Sequence, residues 1–207
     1  MNKIFSPNML KTFNECPYKY YLRYVKEISV PQKETPFEKG KKIHALANYY
    51  LRNNNIEKLE STLNSEEQKI WQTLKNNEYF NKTYVNSEYN LTCKIADFWI
   101  GGRIDAIVKD SNSYYIIDYK TGAIPKNPEN DFQTIIYLLT VKKFFKDIKN
   151  LKFVYIDLKN NQNHVIEPKP EQYSKYENDI IQICKQINST IYYEKNCNKY
   201  CEFQSIC

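Results

Sequence analysis

The stretch that most restricts what this chain can fold into is Gly101–Gly122, GGRIDAIVKDSNSYYIIDYKTG. It holds two runs rich in β-branched and aromatic residues, RIDAIVKD and YYIIDYK, separated by the turn SNS, which predicts an antiparallel hairpin. Each run carries one aspartate, Asp105 and Asp118, among neighbours as apolar as Ile104, Ala106, Ile107, Ile116 and Ile117. A carboxylate inside such a strand must be paired, neutralised or bound to a cation. Asp118 and Lys120 are two apart and project from one face of their strand. Two carboxylates meeting across a hairpin beside an ammonium make a hard-oxygen site for Mg2+ or Mn2+, with a fixed cation at the reacting centre. The plainer alternative is a buried Asp–Lys ion pair in an ordinary sheet.

The periodicity on either side predicts helices first, then the strands, then a closing helix. Ser6-Pro7 reads as an N-cap and a helix-opening proline. Leu10, Phe13, Tyr20, Tyr21 and Tyr24 carry a helical pattern that Pro17 interrupts, giving two short helices with Cys16 at their junction. Thr35, Pro36 and Glu38 form a capping box for PFEKGKKIHALANYYL, in which Gly40, Ile43, His44, Ala47 and Leu51 share a face. A third helix begins near Ser65, with Gln68 at the box position. Alternation from Val85 to Cys93 predicts a half-buried strand. A loop, TGAIPKNPEN, leads to a helix from Asp131 to Phe145, where Gln133 and Tyr137, four apart, share a face. LKFVYIDL and HVIEPK form a second hairpin across KNNQN, and a long helix runs from Pro170 to Tyr193. This order predicts a mixed α/β fold on a mostly antiparallel sheet.

With 207 residues, no Pro/Gly/Ser-rich linker and no repeat, the chain reads as one domain, 1–207. Lys and Arg outnumber Asp and Glu by 30 to 24, a modest lean toward anionic partners. Basic and aromatic residues alternate in CPYKYYLRYVK and VKKFFKDIKNLKF, a mixture suited to single-stranded nucleic acid. Rings at helical spacing, such as Tyr20, Tyr21 and Tyr24, more often pack in a core, and Lys142, Lys143 and Lys146 read equally as a solvated face. The opening residues lack an apolar run of signal-peptide length and no window approaches the roughly 20 apolar residues of a membrane span, which predicts a cytoplasmic protein. In a reducing compartment clustered cysteines read as metal or cluster ligands rather than disulfides. Three of the six, Cys197, Cys201 and Cys207, crowd the closing KNCNKYCEFQSIC and point to a four-thiol site of unidentified metal. Cys93, in a strand, and Cys184, in the long helix, read as small apolar core residues.

The segments SPNMLKTFNECPYKYYLRYV, GKKIHALANYYL, GGRIDAIV, IIDYKTG and QTIIYLL, with the terminal cysteines, stand in the order found in the RecB-like branch of the PD-(D/E)XK nucleases. From Ser6 to Cys207 the chain resembles members that carry an iron–sulfur cluster, including a CRISPR-adaptation nuclease family and the nuclease domains of helicase–nuclease complexes. The resemblance implies a restriction-endonuclease-like core, with a mixed central sheet flanked by helices. It also implies a metal-dependent nuclease, an exonuclease acting on single-stranded DNA or DNA ends, with a helicase or CRISPR-adaptation partner and no membrane association. It makes His44, Asp105 and Asp118 ligands of Mg2+ or Mn2+, together with the carbonyl of Tyr119. Lys120 becomes the catalytic lysine, Gln133 and Tyr137 contact DNA and support the site, and Glu88 lies near the metal through a water. Cys16 becomes the fourth ligand, beside Cys197, Cys201 and Cys207, of a 4Fe–4S cluster, so that residues 1–30 and 194–207 form a cluster-binding clasp. The chain departs from the family in one spacing: three residues separate Cys197 from Cys201 where two are usual. Four thiolates also suit zinc, and a catalytically silent DNA-binding or assembly module is the alternative to a nuclease.

Overall fold

A computed structural model of the chain describes residues 3–30, 37–146, 148–196 and 201–206. A short strand, β1 (Ile4–Phe5), leads into α1 (Pro7–Glu15). The Ser6 hydroxyl accepts from the Met9 amide at 3.3 Å, and Pro7 occupies the first turn, where a missing N–H leaves nothing unpaired. Cys16, extended at φ −159°, ends α1 and caps α2 (Pro17–Tyr20), which runs on into a π-helical turn over Tyr21–Val25. Next come α3 (Phe37–Leu51), a one-turn α4 (Glu57–Glu60) and α5 (Ser65–Lys75). The capping box expected at Thr35, Pro36 and Glu38 lies outside the described residues and side chains. The box of α5 falls one residue earlier than expected. Asn64 and Glu67 exchange side-chain-to-amide bonds of 2.9 Å, while Gln68 turns away to the Leu63 carbonyl.

The sheet comprises β2 (Thr83–Ile95), β3 (Phe98–Lys109), β4 (Ser113–Lys120), β5 (Asn150–Asp157) and β6 (Gln162–Ile166) together with β1. The β3–β4 hairpin is antiparallel, as expected, with Ala106 opposite Ile117 and Lys109 opposite Tyr114. The second hairpin, β5–β6, is antiparallel too. α6 (Phe132–Phe144) carries the chain over so that β5 lies parallel to β4, and β1 is parallel to β3. The sheet is therefore more mixed than the mostly antiparallel expectation. The last helix, α7 (Pro170–Ser189), stops short of the expected Tyr193, because the Ser189 and Thr190 hydroxyls turn back onto the Gln186 carbonyl and compete with the helical bonds.

Apolar helices cover both faces of the sheet. Ile107, Ile116, Phe153 and Tyr155 pack under Leu10 of α1, Ile136 of α6 and Ile180 of α7. On the other face Ala106, Val108, Ile117, Tyr119 and Val154 meet Ile43 and Ala47 of α3 and Trp71 of α5. Residues Thr134–Val141 of α6 are all buried, because that helix is covered by the sheet, α1 and α7 together. Among the described residues no helix is long and apolar enough to cross a membrane.

One irregularity of the sheet positions everything that follows. β2 occupies one edge of β3 along its whole length, so β1 and β4 share the other edge, at Trp99–Ile100 and Ala106–Lys109 respectively. Between them, over residues 101–105, that edge has no strand beside it among the described residues. The glycines of GGR fit this notch. A Cβ on Gly102 would come 3.0 Å from the Tyr137 ring, so glycine makes room for a tyrosine whose hydroxyl donates to the Arg103 carbonyl at 2.7 Å. That bond replaces the one a neighbouring strand would supply. A Cβ on Gly101 would lie 2.3 Å from the Leu91 carbonyl oxygen. Gly101→Ala is accordingly expected to lower stability by about 1–3 kcal/mol in urea denaturation. Gly122→Ala, whose Cβ would meet nothing within 4 Å, is expected to stay within about 0.5 kcal/mol of the parent.

Candidate active site

The β3–β4 ladder ends at Ala106 and Ile117, and the next residues outward are Asp105 and Asp118. They stand where the two strands part, at the mouth of the notch, and are only 8% and 1% exposed. One oxygen of each, Oδ2, is buried without a hydrogen bond. A buried carboxylate in that condition is costly unless a cation joins it. Lys120 supplies part of the compensation. Its Nζ lies 2.9 Å from Asp118 Oδ2, off the hydrogen-bonding direction, and donates to Oδ1 at 3.1 Å and to Gln133 Oε1 at 3.0 Å. The Gln133 amide in turn donates to Asp118 Oδ1, closing a three-residue ring between β4 and α6. Burial, and then the Asp105 charge, raises the pKa of Asp118 against the pull of Lys120. Burial also disfavours the Lys120 ammonium, but Asp118 outweighs it and holds the lysine charged.

His44 arrives from the opposite layer. Ile43, Ala47 and Leu51 bury the inner face of α3, and its Gly40 lies beside Thr121 at the end of β4, where a Cβ would make an ordinary contact at 3.4 Å from Thr121 Oγ1. His44 Nδ1 lies 3.4 Å from Asp105 Oδ1 and 3.7 Å from Glu88 Oε1, and its ring rests 4.5 Å from that of Tyr119. Burial works to lower the His44 pKa, but the two carboxylates outweigh it and push it up to about 10. Glu88 reaches the site because its backbone takes φ 48° in the middle of β2, a left-handed conformation that is strained for a residue with a side chain. Arg103 Nε pairs with the other Glu88 oxygen at 2.8 Å. Behind it, the Ser87 hydroxyl donates to Asn48 at 2.7 Å and Arg52 donates to the Ser87 carbonyl at 3.0 Å, tying this part of β2 to α3.

His44, Glu88 and Asp105 offer ligand atoms that all lie within 4.8 Å of one another. The donor set is an imidazole and hard carboxylate oxygens, one of which, Asp105 Oδ2, accepts no hydrogen bond, and it fits a divalent cation of the Mg2+ or Mn2+ kind. His44, Asp105, Lys120, Gln133 and Tyr137 line one open cleft of about 860 Å3, and Asp118 is buried behind it, bonded to Lys120 and Gln133. Tyr119 shares that lining, but its side chain is fully buried in the α3 layer. Arg103 is the residue of this cleft that the sequence reading missed. It stands two before Asp105 in the same strand, and the alternation that paired Asp118 with Lys120 was the signal available for it.

The other candidates lie away from the cleft. Lys142 stacks over Tyr173 at 3.4 Å and Lys143 pairs with Glu177 at 3.5 Å, so both are committed to α7. Tyr20 is fully buried, and Cys184 is a core thiol, as expected. Cys16 is buried, and its Sγ accepts from the amides of Lys19 at 3.3 Å and Asn196 at 3.4 Å. Cys201 is half-buried, while Cys197 and Cys207 lie outside the described residues.

Three comparisons bear on the ancestry of this arrangement. No curated protein matches the sequence. Among solved structures, that of a "Putative exonuclease" from Eubacterium rectale superposes with a TM-score of 0.62 at 10% identity, over 97% of this chain and 88% of that one, a likeness of fold. SSO0001 covers all of this chain from 86% of its own at 18% identity, with a TM-score of 0.49. The family model described as the PD-(D/E)XK nuclease superfamily matches residues 4–207. Because that match takes in both strands of the aspartate hairpin, the helices around it and the cysteine-bearing end, the chain belongs to the PD-(D/E)XK nuclease superfamily.

Proposed function

We propose that this chain is a metal-dependent deoxyribonuclease of the RecB-like branch, hydrolysing phosphodiester bonds as an exonuclease on single-stranded DNA or DNA ends. The observation that carries the reading is the pair of carboxylates on Asp105 and Asp118, each with one buried oxygen that accepts no hydrogen bond, set beside a charged lysine that lines an open cleft. His44, Asp105 and Asp118, with the Tyr119 carbonyl, would hold Mg2+ or Mn2+, which when bound makes a water more acidic and offsets charge on the scissile phosphate.

The chain's own groups do the rest. Lys120 is held charged by Asp118 and aimed by Gln133, so a positive charge stands in place where negative charge grows and needs no reorganisation at the moment of reaction. Tyr137 fixes the backbone of Arg103 in the notch, and the Arg103 guanidinium, 65% exposed on its side chain, faces a position from which it can steady a phosphate. Glu88 holds both Arg103 and His44, which links the cation-binding side of the cleft to its phosphate-binding side. Asp118→Asn keeps the shape of the side chain and removes its charge. In this variant, Mn2+-dependent release of nucleotides from end-labelled single-stranded DNA is expected to fall by at least about 100-fold, with circular dichroism showing the fold retained. Hydrolysis at the parent rate would overturn the assignment, and so would a parent protein that binds DNA without cutting it.

The second part of the proposal is a 4Fe–4S cluster with a structural role, held by Cys16, Cys197, Cys201 and Cys207. Its support is the approach of the chain's last segment to the α1–α2 junction. Glu194 accepts from the Tyr18 amide at 3.0 Å, the Asn196 side chain donates to the Glu15 carbonyl at 3.2 Å, and two amides point at the Cys16 sulfur. The Cys16 sulfur also faces the Glu194 carbonyl at 4.0 Å, and a link over so long a loop restricts the unfolded chain strongly. Protein purified without oxygen is expected to contain iron and sulfide, to absorb in the visible, and to lose thermal stability on Cys16→Ser. Zinc without iron would overturn the cluster while keeping the four-thiol site.

A further inference from the structure

A second open cleft, of about 880 Å3, adjoins the first, and Thr121 and Gly122, the residues directly after Lys120, line both. The two clefts meet at a low saddle. A side chain on Gly122 would meet nothing within 4 Å, and the saddle is anchored by the Leu158 amide, which donates to the Lys120 carbonyl at 3.0 Å. Lys69 of α5, Lys126 of the loop before α6 and Lys159 of the β5–β6 turn stand exposed around the second cleft. None of the three is engaged in an ion pair among the described residues, whereas Lys42, Lys75, Lys82, Lys143 and Lys152 all are. The acidic groups of the lining are Glu66 and Asp157, and Asp157 is occupied in capping the β5–β6 turn through the amides of Lys159 and Asn160 and the Asn160 side chain. No Phe, Tyr or Trp lines this cleft, and its one ring is the exposed imidazole of His164 at the rim.

We infer that the second cleft is the track for the strand on one side of the scissile phosphate. Single-stranded DNA passing the Asp105–Asp118 centre continues over Thr121–Gly122 and lays its phosphates against Lys69, Lys126 and Lys159. This inference rests on the nuclease reading above and specifies its substrate. Uncommitted cations converging on one groove bind a polyanion, and with no Phe, Tyr or Trp to stack on successive bases the groove grips the backbone and ignores sequence. The half-buried Ile70, Ile124 and Pro125 between the lysines give sugars and bases an apolar floor.

The test compares the parent with Lys69→Gln/Lys126→Gln/Lys159→Gln and with the single control Lys175→Gln, an exposed lysine of α7. Binding of fluorescein-labelled oligothymidylate and oligoadenylate is followed by anisotropy in EDTA across a salt titration. The triple variant is expected to bind both oligonucleotides more weakly, to the same degree. Its slope of log affinity against log salt is expected to be shallower by about 2, at about 0.7 per lost lysine. A triple variant with the parent slope and affinity, beside a parent that does bind and cut DNA, overturns the track and leaves the nuclease intact. A parent that neither binds nor cuts DNA overturns both. Weakening of one oligonucleotide alone overturns the backbone-gripping mode, because it would mean that bases are being read.

Discussion

Asp105 and Asp118 are two negative charges buried at a fork in a sheet, and the electrostatics of that fork organise the residues around it. Three acids converge there, Asp105, Asp118 and Glu88, and three bases answer them: Lys120, Arg103 and His44. Each base is held to its acids by direct contact, and each contact is brought in by a different element. Lys120 lies on the same strand as Asp118, Arg103 lies on the same strand as Asp105, and His44 comes from a helix on the other face of the sheet. Two of the acids, Asp105 and Glu88, meet at the His44 imidazole, which thereby joins β2, β3 and α3.

The fork exists because of strand order. β1 and β4 share one edge of β3, and between them residues 101–105, paired with β2 on the other side, have no strand on this edge among the described residues, so the backbone there is free to be bonded by a side chain. Tyr137 takes that place, Gly102 clears the space for it, and Gln133, one turn earlier on α6, is thereby carried to the Asp118–Lys120 pair. α6, buried over Thr134–Val141 in one layer, and α3, packed on the other, bring Tyr137 and His44 to the same cleft. A closed, regular sheet would have kept the α3 and α6 layers apart, and the cleft would not exist.

Much of this is legible in the amino-acid sequence, for reasons that differ from residue to residue. Asp105, Asp118 and Lys120 stand out because acids and a lysine interrupt apolar strand patterns of period two. His44 emerges only as one member of a helical face, and the resemblance to known nucleases singles it out. Gln133 and Tyr137 are legible as a shared helix face, but their targets are not. The notch depends on a two-residue strand, β1, pairing with a partner more than ninety positions away, far below anything periodicity resolves. Glu88 adopts its left-handed backbone without the glycine or asparagine that would announce it. α7 ends at Ser189 through hydroxyl-to-carbonyl bonds that an apolar pattern running on to Tyr193 conceals. Local chemistry shows in sequence, while the sheet's gap and the path between the two clefts arise from packing over long separations.

The central claim is that the buried Asp105–Asp118 fork is a divalent-cation site with His44 as its third side chain. The most direct measurement is diffraction from crystals grown with Mn2+, using data collected near the manganese absorption edge. An anomalous peak bounded by the carboxylates of Asp105 and Asp118 and the imidazole of His44, absent from Asp118→Asn crystals, is the predicted result. An empty fork at saturating Mn2+, with Asp118 neutralised by Lys120 alone, would contradict it and reduce the pair to an internal ion pair of the sheet.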